Sequence, residues 1–317
     1  MQASSDPASA GGHTPVLYQN VLSNLNLRSG GRYIDGTVGA GGHAAGILEK
    51  SAPDGELLAF DRDPAALTIA RSHLQPFGGR SILKHASYAR MAEIVSAQGW
   101  ESVDGILLDL GLSSMQVDQA ERGFSFLRDG PLDMRFDPTQ GQSAEELVNS
   151  LREEDLREIL WRFGDEPQAR RIAEAIVAAR PIHTTGKLAA VIASVASKTR
   201  KSTHPATRSF QAIRMAVNNE LEQLQQGLEQ AVELLAPQGR IAVIAFHSLE
   251  DRLVKTFFRR ESQDCLCPPE IPVCVCGHKA RLKLITRRAI KPDEAESKRN
   301  PRSRSARLRV AEALTLA

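Results

Sequence analysis

The sequence has 317 residues, a formal net charge of +2 and 42% hydrophobic residues, which is enough apolar sequence for a sizeable core. The length exceeds that of a usual single core, so it predicts two domains or one domain with a large insertion. No apolar run approaches the roughly 18 residues of a membrane span, and four cysteines confined to residues 265–276 exclude a small disulfide-stapled secreted domain, so a cytoplasmic protein is the default.

The chain opens with a short polar segment. Residues 1–12 are small and polar and have neither the basic nor the apolar region of a secretory signal. They are predicted to form a disordered leader.

A glycine-rich loop follows the first predicted strand. After Tyr33 and Ile34, residues 36–43 read Gly-Thr-Val-Gly-Ala-Gly-Gly-His, and a helix is predicted over Ala44–Lys50. Such loops bind nucleoside triphosphates, dinucleotides or S-adenosylmethionine, and the lack of a Gly-Lys-Ser/Thr ending excludes the first. A dinucleotide stays open, because Asp61 has the spacing of a ribose-binding acid. Asp35 favours S-adenosylmethionine, because a carboxylate there attracts the methionine amino group and repels a pyrophosphate.

Strands and helices alternate through the next 70 residues. The predicted strands are Glu56–Asp61, Ser81–Lys84 and Val103–Leu110, and the predicted helices are Pro64–Leu74 and Tyr88–Gln98. This alternation predicts a parallel sheet, in which ligands bind at the carboxyl ends of the strands. Asp35, Asp61 and Asp109 each end a strand, so we expect the three carboxylates to converge on one rim.

The middle of the chain has helical signals and no strand signal. Glu121–Pro138 is predicted to be an ordered surface loop. Four helices are predicted after it: one that begins with a capping box at Ser143, one over Glu153–Phe163, one that begins at Pro167 and one over Lys187–Ser197.

The α/β pattern resumes at about Asn218. It continues with a long helix to Leu235, a strand at Arg240–Phe246, a helix at Leu249–Arg260 and an antiparallel pair of strands at Leu282–Thr286 and Ala306–Val310. Five parallel strands closed by such a pair are the arrangement of S-adenosylmethionine-dependent methyltransferases. We therefore predict a discontinuous domain over 13–118 and 217–317, with an inserted helical domain over 119–216.

Basic residues are concentrated in two stretches. Residues 175–219 contain seven Lys or Arg and no acid, and residues 297–309 contain six Lys or Arg. Two such stretches favour a nucleic-acid partner over a merely solvated face. The predicted RNA contacts are Lys198, Arg200, Lys201, His204, Arg208, Arg214 and, at the end of the fifth strand, His247.

All four cysteines lie close together in the sequence. Cys265-x-Cys267 and Cys274-x-Cys276, with His278 nearby, suggest a metal knuckle, but structural zinc usually takes ligands separated by two to four residues. Reduced cysteines that pack a proline-rich turn are the favoured interpretation, so no metal is predicted and zinc stays the alternative.

Several sequence blocks resemble one known family, the bacterial ribosomal small subunit methyltransferase H family, also called MraW. The match runs from His13 to nearly the end of the chain, and the blocks lie at residues 13–17, 33–43, 104–114, 121–126, 130–135, 204–212, 246–252 and 300–305. The resemblance implies a class I S-adenosylmethionine-dependent methyltransferase, with a Rossmann-like seven-stranded sheet whose last strand is antiparallel and an inserted all-helical domain. It also implies methylation of the N4 amino group of a cytosine in the decoding region of 16S ribosomal RNA.

The resemblance also implies a set of cofactor-binding residues, which are Gly41, Gly42, His43, Asp61, Tyr88, Asp109 and Gln116. We expect Asp61 to bind the ribose hydroxyls and Tyr88 to lie beside the adenine. Asp109, or a backbone carbonyl within residues 110–113, is the expected acceptor for a hydrogen of the target amino group.

Two other functions stay as alternatives, a nicotinamide-dependent oxidoreductase and a non-catalytic RNA-binding protein. The expected partner is 16S ribosomal RNA or the small ribosomal subunit, without a membrane, and a homodimer is left open.

Overall fold

The computed structural model describes residues 15–196, 204–268, 270–271 and 273–315. The chain divides into two compact units: one runs up to Gly111 and resumes at Gln223, and the other is Leu112–Glu222. These boundaries differ by a few residues from those we predicted. The predicted leader and the predicted RNA contacts Lys198, Arg200 and Lys201 lie outside the described residues.

The first unit is built on a seven-stranded sheet. Its strands are β1 (Arg32–Asp35), β2 (Glu56–Asp61), β3 (Ser81–His85), β4 (Val103–Asp109), β5 (Leu235–Ala245), β6 (Leu282–Leu284) and β7 (Arg307–Ala313). They lie in the order β3-β2-β1-β4-β5-β7-β6, and β7 runs antiparallel to both of its neighbours while β1 to β5 are parallel. The predicted five parallel strands and closing antiparallel pair are confirmed, and this topology is that of the class I methyltransferase fold.

Helices cover both faces of this sheet. Their bounds are α1 (Tyr18–Asn24), α2 (Gly42–Lys50), α3 (Pro64–Leu74), α4 (Met91–Ala97), α11 (Glu220–Leu234), α12 (Ser248–Glu261) and α13 (Glu294–Arg299). Apolar residues of α1 to α3 form one core with the sheet, and those of α4, α11 and α12 form a second core. Because both faces are covered, the central strands are continuous apolar runs such as Ile106, Leu107 and Leu108, all fully buried.

The second unit is helical in the part of it that the structure describes. Its helices are α5 (Ser114–Asp118), α6 (Ala144–Ser150), α7 (Glu153–Gly164), α8 (Ala169–Ala178), α9 (Thr185–Val195) and α10 (Thr207–Asn218). The capping box that we predicted at Ser143 opens α6, with Glu146 closing it. Their apolar faces share one core, to which α10 contributes the buried Phe210 and Ile213.

Two predictions for this part of the chain were wrong. Residues 121–138 are not only a surface loop, because Phe124, Leu132 and Met134 are buried in the core of the second unit. The helix expected to begin at Pro167 begins at Ala169, and α10 was not predicted at all.

Among the residues that the structure describes, none of the helices has the length and apolar character needed to cross a bilayer.

Candidate functional site

Three aspartates end three neighbouring strands of the first unit, as predicted. Asp35 is in register with Ala59 of β2 and Leu107 of β4. Asp61 and Asp109 lie two residues further along those strands. Side chains two residues apart on a strand project to the same side, so the three carboxyl groups lie on one face at the carboxyl edge of the sheet.

The glycine loop is tied to these strand ends by hydrogen bonds from backbone N–H groups to side-chain oxygens. The N–H of Thr37 donates to Asp35 Oδ1 (3.1 Å), and the N–H of Gly39 donates to Asp61 Oδ2 (2.8 Å). The Thr37 hydroxyl oxygen accepts a bond from the N–H of Asp109 (2.7 Å). The three strand ends and the loop therefore form one connected frame.

Asp61 keeps acceptor capacity for a ligand. Its two oxygens accept the backbone N–H groups of Gly39 (2.8 Å) and Asp63 (2.8 Å), and a backbone hydrogen bond from Arg62 also lowers its pKa. A carboxylate has about four acceptor positions, so capacity remains for a ligand hydroxyl group. Burial raises the pKa of Asp61 to about 6, although the Asp63 and Gly39 N–H groups act in the opposite direction.

Asp35 is a buried acid with little compensation. It is 1% exposed, and burial raises its pKa to about 7, against the lowering effect of the Thr37 N–H bond and with a further increase from the Asp61 charge. A cationic ligand group beside Asp35 would favour its ionised form and would be held by it.

His43 and Asp109 face each other with unused polar atoms. His43 Nε2 lies 3.6 Å from Asp109 Oδ2, which is too long for a hydrogen bond. His43 Nδ1, His43 Nε2 and Asp109 Oδ1 are buried and find no hydrogen-bond partner among the described residues. Buried polar atoms without partners are uncommon in native proteins, and here they leave hydrogen-bonding capacity for a polar ligand.

The two groups have opposite pKa shifts with the same main cause. Burial lowers the pKa of His43 to about 4. Burial also raises the pKa of Asp109 well above its usual range, and the charges of Asp35 and Glu250 raise it further. At neutral pH His43 is therefore an uncharged ring beside a carboxyl group that holds its proton more tightly than usual.

The first backbone N–H groups of α2 point back toward the glycine loop. Gly41 is the N-cap of α2 and makes no side-chain cap bond. Its left-handed conformation (φ 87°) favours glycine at this position. The first N–H groups of a helix attract anions. Gly42 is needed for packing, because a Cβ there would lie 2.5 Å from Pro15 Cγ.

Tyr88 lies in a 3-10 turn just after β3, beside two glycines. A Cβ on Gly36 would lie 2.9 Å from Tyr88 Cβ, and a Cβ on Gly227 would lie 2.5 Å from its ring. The ring is partly buried and packs against the core that α4 and α11 share. Its expected place beside an adenine stays a prediction.

Gln116 belongs to the second unit, where it lies in the first turn of α5. It is 5% exposed and forms a capping box with Ser113, whose hydroxyl oxygen accepts the Gln116 N–H (3.2 Å) while Gln116 Oε1 accepts the Ser113 N–H (3.1 Å). Its predicted contact with the cofactor stays a prediction.

Two of the predicted RNA contacts are exposed residues of the second unit. The His204 ring contacts the Phe126 ring in a tilted arrangement, with 4.5 Å between ring centroids, and Arg208 donates one hydrogen bond to the Asp165 carbonyl (3.0 Å). Both side chains are accessible to a ligand.

Two other residues predicted to contact RNA have partners within the chain. Arg214 is nearly buried and makes a two-pronged ion pair with Glu220 (2.7 and 2.8 Å), so its charge is already used within the second unit. His247 is the N-cap of α12: its Nδ1 accepts the Glu250 N–H (3.3 Å), and its side chain is 11% exposed.

Glu250 was missed by the sequence analysis. It is 3% exposed, and its carboxylate accepts the backbone N–H groups of Phe246 (2.9 Å) and His247 (3.3 Å) at the end of β5. Its charge is one of those that raise the pKa of Asp109. A glutamate three residues after a capping residue could have indicated this role.

Comparison with known proteins identifies the family. The family model described as "MraW methylase family" matches residues 10–314. This chain belongs to the MraW methylase family.

Curated relatives agree with this membership. A protein named ribosomal RNA small subunit methyltransferase H from Thermomicrobium roseum is 56% identical, and the match covers 95% of this chain and 93% of the relative. One of the same name from Citrifermentans bemidjiense is 52% identical, with 95% and 98% covered. A solved structure of an rRNA methylase from Streptococcus thermophilus is 11% identical, with a TM-score of 0.41 and 94% of each chain covered.

S-adenosylmethionine is the methyl donor of this methylase family. The residues of the first unit fit this cofactor in charge and in hydrogen-bonding capacity. The buried Asp35 suits the amino group, the open acceptor positions of Asp61 suit the ribose, and the unpartnered atoms of His43 and Asp109 lie on the same edge of the sheet.

Proposed function

We propose that this MraW-family chain methylates the N4 amino group of a cytosine in the decoding region of 16S ribosomal RNA. Family membership and the names of relatives at 56% and 52% identity support the reaction and the substrate. The observation that carries the proposal in the structure is the group of strand-end acids Asp35, Asp61 and Asp109 around the glycine loop, with an unpartnered oxygen on Asp109.

Each end of the cofactor has a suitable partner in the first unit. Asp35 would pair with the methionine ammonium group, and the first N–H groups of α2 would bind the carboxylate. Asp61 would accept hydrogen bonds from the ribose hydroxyls, and Tyr88 would lie beside the adenine. Bound in this way, the cofactor supplies a methyl group attached to a sulfonium centre, from which a neutral thioether is a good leaving group.

The cytosine amino group is a weak nucleophile because its nitrogen lone pair is delocalised into the ring. Asp109 would accept a hydrogen bond from this amino group and hold the nitrogen in line with the methyl carbon. The Asp109 carboxylate would then take up the proton that the amino group gives up when it is methylated. The raised pKa of Asp109 makes its ionised form a stronger base than an ordinary aspartate.

The RNA would be held by exposed basic residues. In the second unit His204 and Arg208 are accessible, and we propose that Lys198, Arg200 and Lys201 act with them. In the first unit Arg299 and Arg304 are exposed. Backbone phosphates are the expected targets of these side chains. Because ribosomal RNA is the substrate, we propose a cytoplasmic location.

Calorimetry tests the cofactor. We expect the purified chain to bind S-adenosylmethionine and S-adenosylhomocysteine and not NAD or NADP. Binding of a dinucleotide in preference to either sulfur compound would support the oxidoreductase alternative and contradict the proposal.

Transfer of labelled methyl tests the substrate. Small-subunit RNA is incubated with the chain and labelled cofactor, next to the same RNA in which the target cytidine is replaced by uridine. We expect incorporation only into the first RNA, because uridine has no exocyclic amino group. Tight RNA binding without any incorporation would indicate a non-catalytic RNA-binding protein.

A further inference from the structure

The segment between α12 and β6 brings all four cysteines of the chain together. The four Sγ atoms lie within 4.8 Å of one another, although their residues span 265 to 276. The distance is 3.4 Å from Cys265 to Cys274, 3.5 Å from Cys274 to Cys276 and 3.9 Å from Cys276 to Cys265. All four are free thiols.

These distances match the edges of a metal–thiolate tetrahedron. Sulfur atoms that coordinate zinc at about 2.3 Å in tetrahedral geometry are about 3.8 Å apart. A disulfide would need about 2.05 Å. Four sulfur atoms held at an intermediate spacing are therefore arranged as ligands of one ion and not as two bonded pairs.

Backbone donors point at the sulfurs. The Leu266 N–H donates to Cys276 (3.3 Å), the Cys267 N–H donates to Cys265 (3.4 Å) and the Val275 N–H donates to Cys267 (3.4 Å). Such bonds stabilise thiolates over thiols, and thiolates are the form that binds metal.

The tip of this segment has little hydrophobic packing to hold it. Leu266, Ile271, Val273 and Val275 are between 41% and 76% exposed. The base of the segment is held by an ion pair between Arg281 and Glu261 (2.8 Å). A metal would supply at the tip the stabilisation that apolar burial does not.

We propose that Cys265, Cys267, Cys274 and Cys276 bind one structural Zn²⁺ ion. Four sulfur ligands in a tetrahedron select a soft, four-coordinate ion, and they leave no position open for catalysis. His278 is not a ligand, because its Nε2 lies 3.0 Å from the Arg260 carbonyl oxygen and the histidine is not part of the sulfur cluster. This site does not depend on the proposed function.

Metal analysis of the full chain tests the ligand set. We expect about one zinc per chain after purification under reducing conditions, and less than about a tenth of that in the Cys274→Ser/Cys276→Ser double variant. His278→Ala is the matched control, and it should keep its zinc. Circular dichroism and binding of S-adenosylmethionine should be unchanged in both variants, which shows that the rest of the chain has folded.

Cobalt substitution gives a second readout that does not depend on the yield of zinc. Metal-free reduced protein titrated with Co²⁺ should develop the charge-transfer and intense visible bands of tetrahedral thiolate coordination, saturating at one equivalent, and Zn²⁺ should abolish them. The double variant should show neither.

Four results would overturn the proposal. The first is no uptake of zinc or cobalt by the reduced wild-type chain. The second is a pair of disulfides in chain isolated under anaerobic conditions with free thiols blocked at lysis. The third is stoichiometric iron in place of zinc. The fourth is loss of zinc from His278→Ala.

Discussion

Asp109 combines features that suit a proton acceptor next to a reacting nitrogen. Its Oδ1 is buried without a partner among the described residues, and burial raises its pKa together with the Asp35 and Glu250 charges. The neighbouring His43 is kept uncharged by burial, so it does not neutralise the carboxylate.

Replacement of Asp109 by Asn should separate chemistry from binding. We expect kcat to fall by about a hundredfold or more, because an amide cannot take up the proton, while the cofactor Kd changes by only a few fold. The exposed Asp54→Asn is the control. Normal cofactor binding with methylation at the wild-type rate would show that Asp109 has no role in catalysis.

The pKa of Asp35 predicts how cofactor binding depends on pH. The ammonium group binds the ionised carboxylate, so affinity should increase as pH rises through about 7. It should decrease again above about 8, where the α-amino group loses its proton. Calorimetry between pH 5.5 and 9 measures this, and Asp35→Asn should weaken binding by about tenfold to a hundredfold and remove the rise. A flat profile in the wild type would contradict the assignment.

The same substitution should stabilise the cofactor-free chain. The pKa of Asp35 is 3.8 in the unfolded chain and about 7 in the folded chain. As pH rises from 3.8 to about 7, ionisation of Asp35 stabilises the unfolded chain, so the folded chain becomes progressively less stable relative to it. Asp35→Asn should therefore increase the free energy of unfolding by an amount on the order of a few kcal/mol at pH 8, and by less at pH 5. Urea unfolding at the two pH values checks the sign.

One ion cluster joins α12 to β7. Asp251 accepts bonds from Arg307 (2.8 Å) and Arg309 (2.6 Å), and its side chain is 8% exposed. Burial acts to raise the Asp251 pKa, but the hydrogen bonds and charges of the two arginines outweigh it and lower the pKa. Two basic residues of the segment 297–309 therefore hold α12 against β7.

Asp251→Asn should destabilise the first unit by about 3 kcal/mol at pH 7, because it leaves two arginines partly buried without their charge partner. Because the pKa of Asp251 is depressed in the folded chain, the difference in stability between wild type and variant should shrink as pH falls below 3.8, where the Asp251 carboxylate of the wild type also becomes protonated. Urea unfolding measures it, with the exposed Glu101→Gln as control. Equal stability of variant and wild type at pH 7 would exclude this role.

Local patterns predicted the elements that depend on local physics. The strand ends at Asp35, Asp61 and Asp109 and the capping box at Ser143 were found in the sequence, because strand burial and helix capping act over a few residues. Helix α10 was missed, because its two arginines, Arg208 and Arg214, were assigned to a basic phosphate-binding stretch and the amphipathic pattern around them was overlooked.

Pairings between distant residues could not be predicted. Asp251 lies 56 and 58 positions from its two arginines, and nothing in the basic segment indicates that partner. The convergence of the four sulfur atoms could not be predicted either, because the approach of Cys265 to Cys274 depends on how the segment between them folds.

Salt dependence of RNA binding tests the assignment of basic residues across the molecule. Arg208→Ala should weaken RNA binding and reduce the slope of log K against log salt by about one, because it removes one phosphate contact. Arg214→Ala should leave that slope unchanged and instead lower the free energy of unfolding by about 3 kcal/mol, because it leaves Glu220 buried without a partner. The opposite assignment of the two effects would contradict the structure.

The most direct test of the central claim is nucleoside analysis by mass spectrometry of small-subunit RNA methylated by the purified chain. We expect N4-methylcytidine at a single position of the decoding region, formed by the wild type and by Asp54→Asn but nearly absent with Asp109→Asn. Formation of 5-methylcytidine, a ribose-methylated nucleoside or no methylated cytidine at all would contradict it.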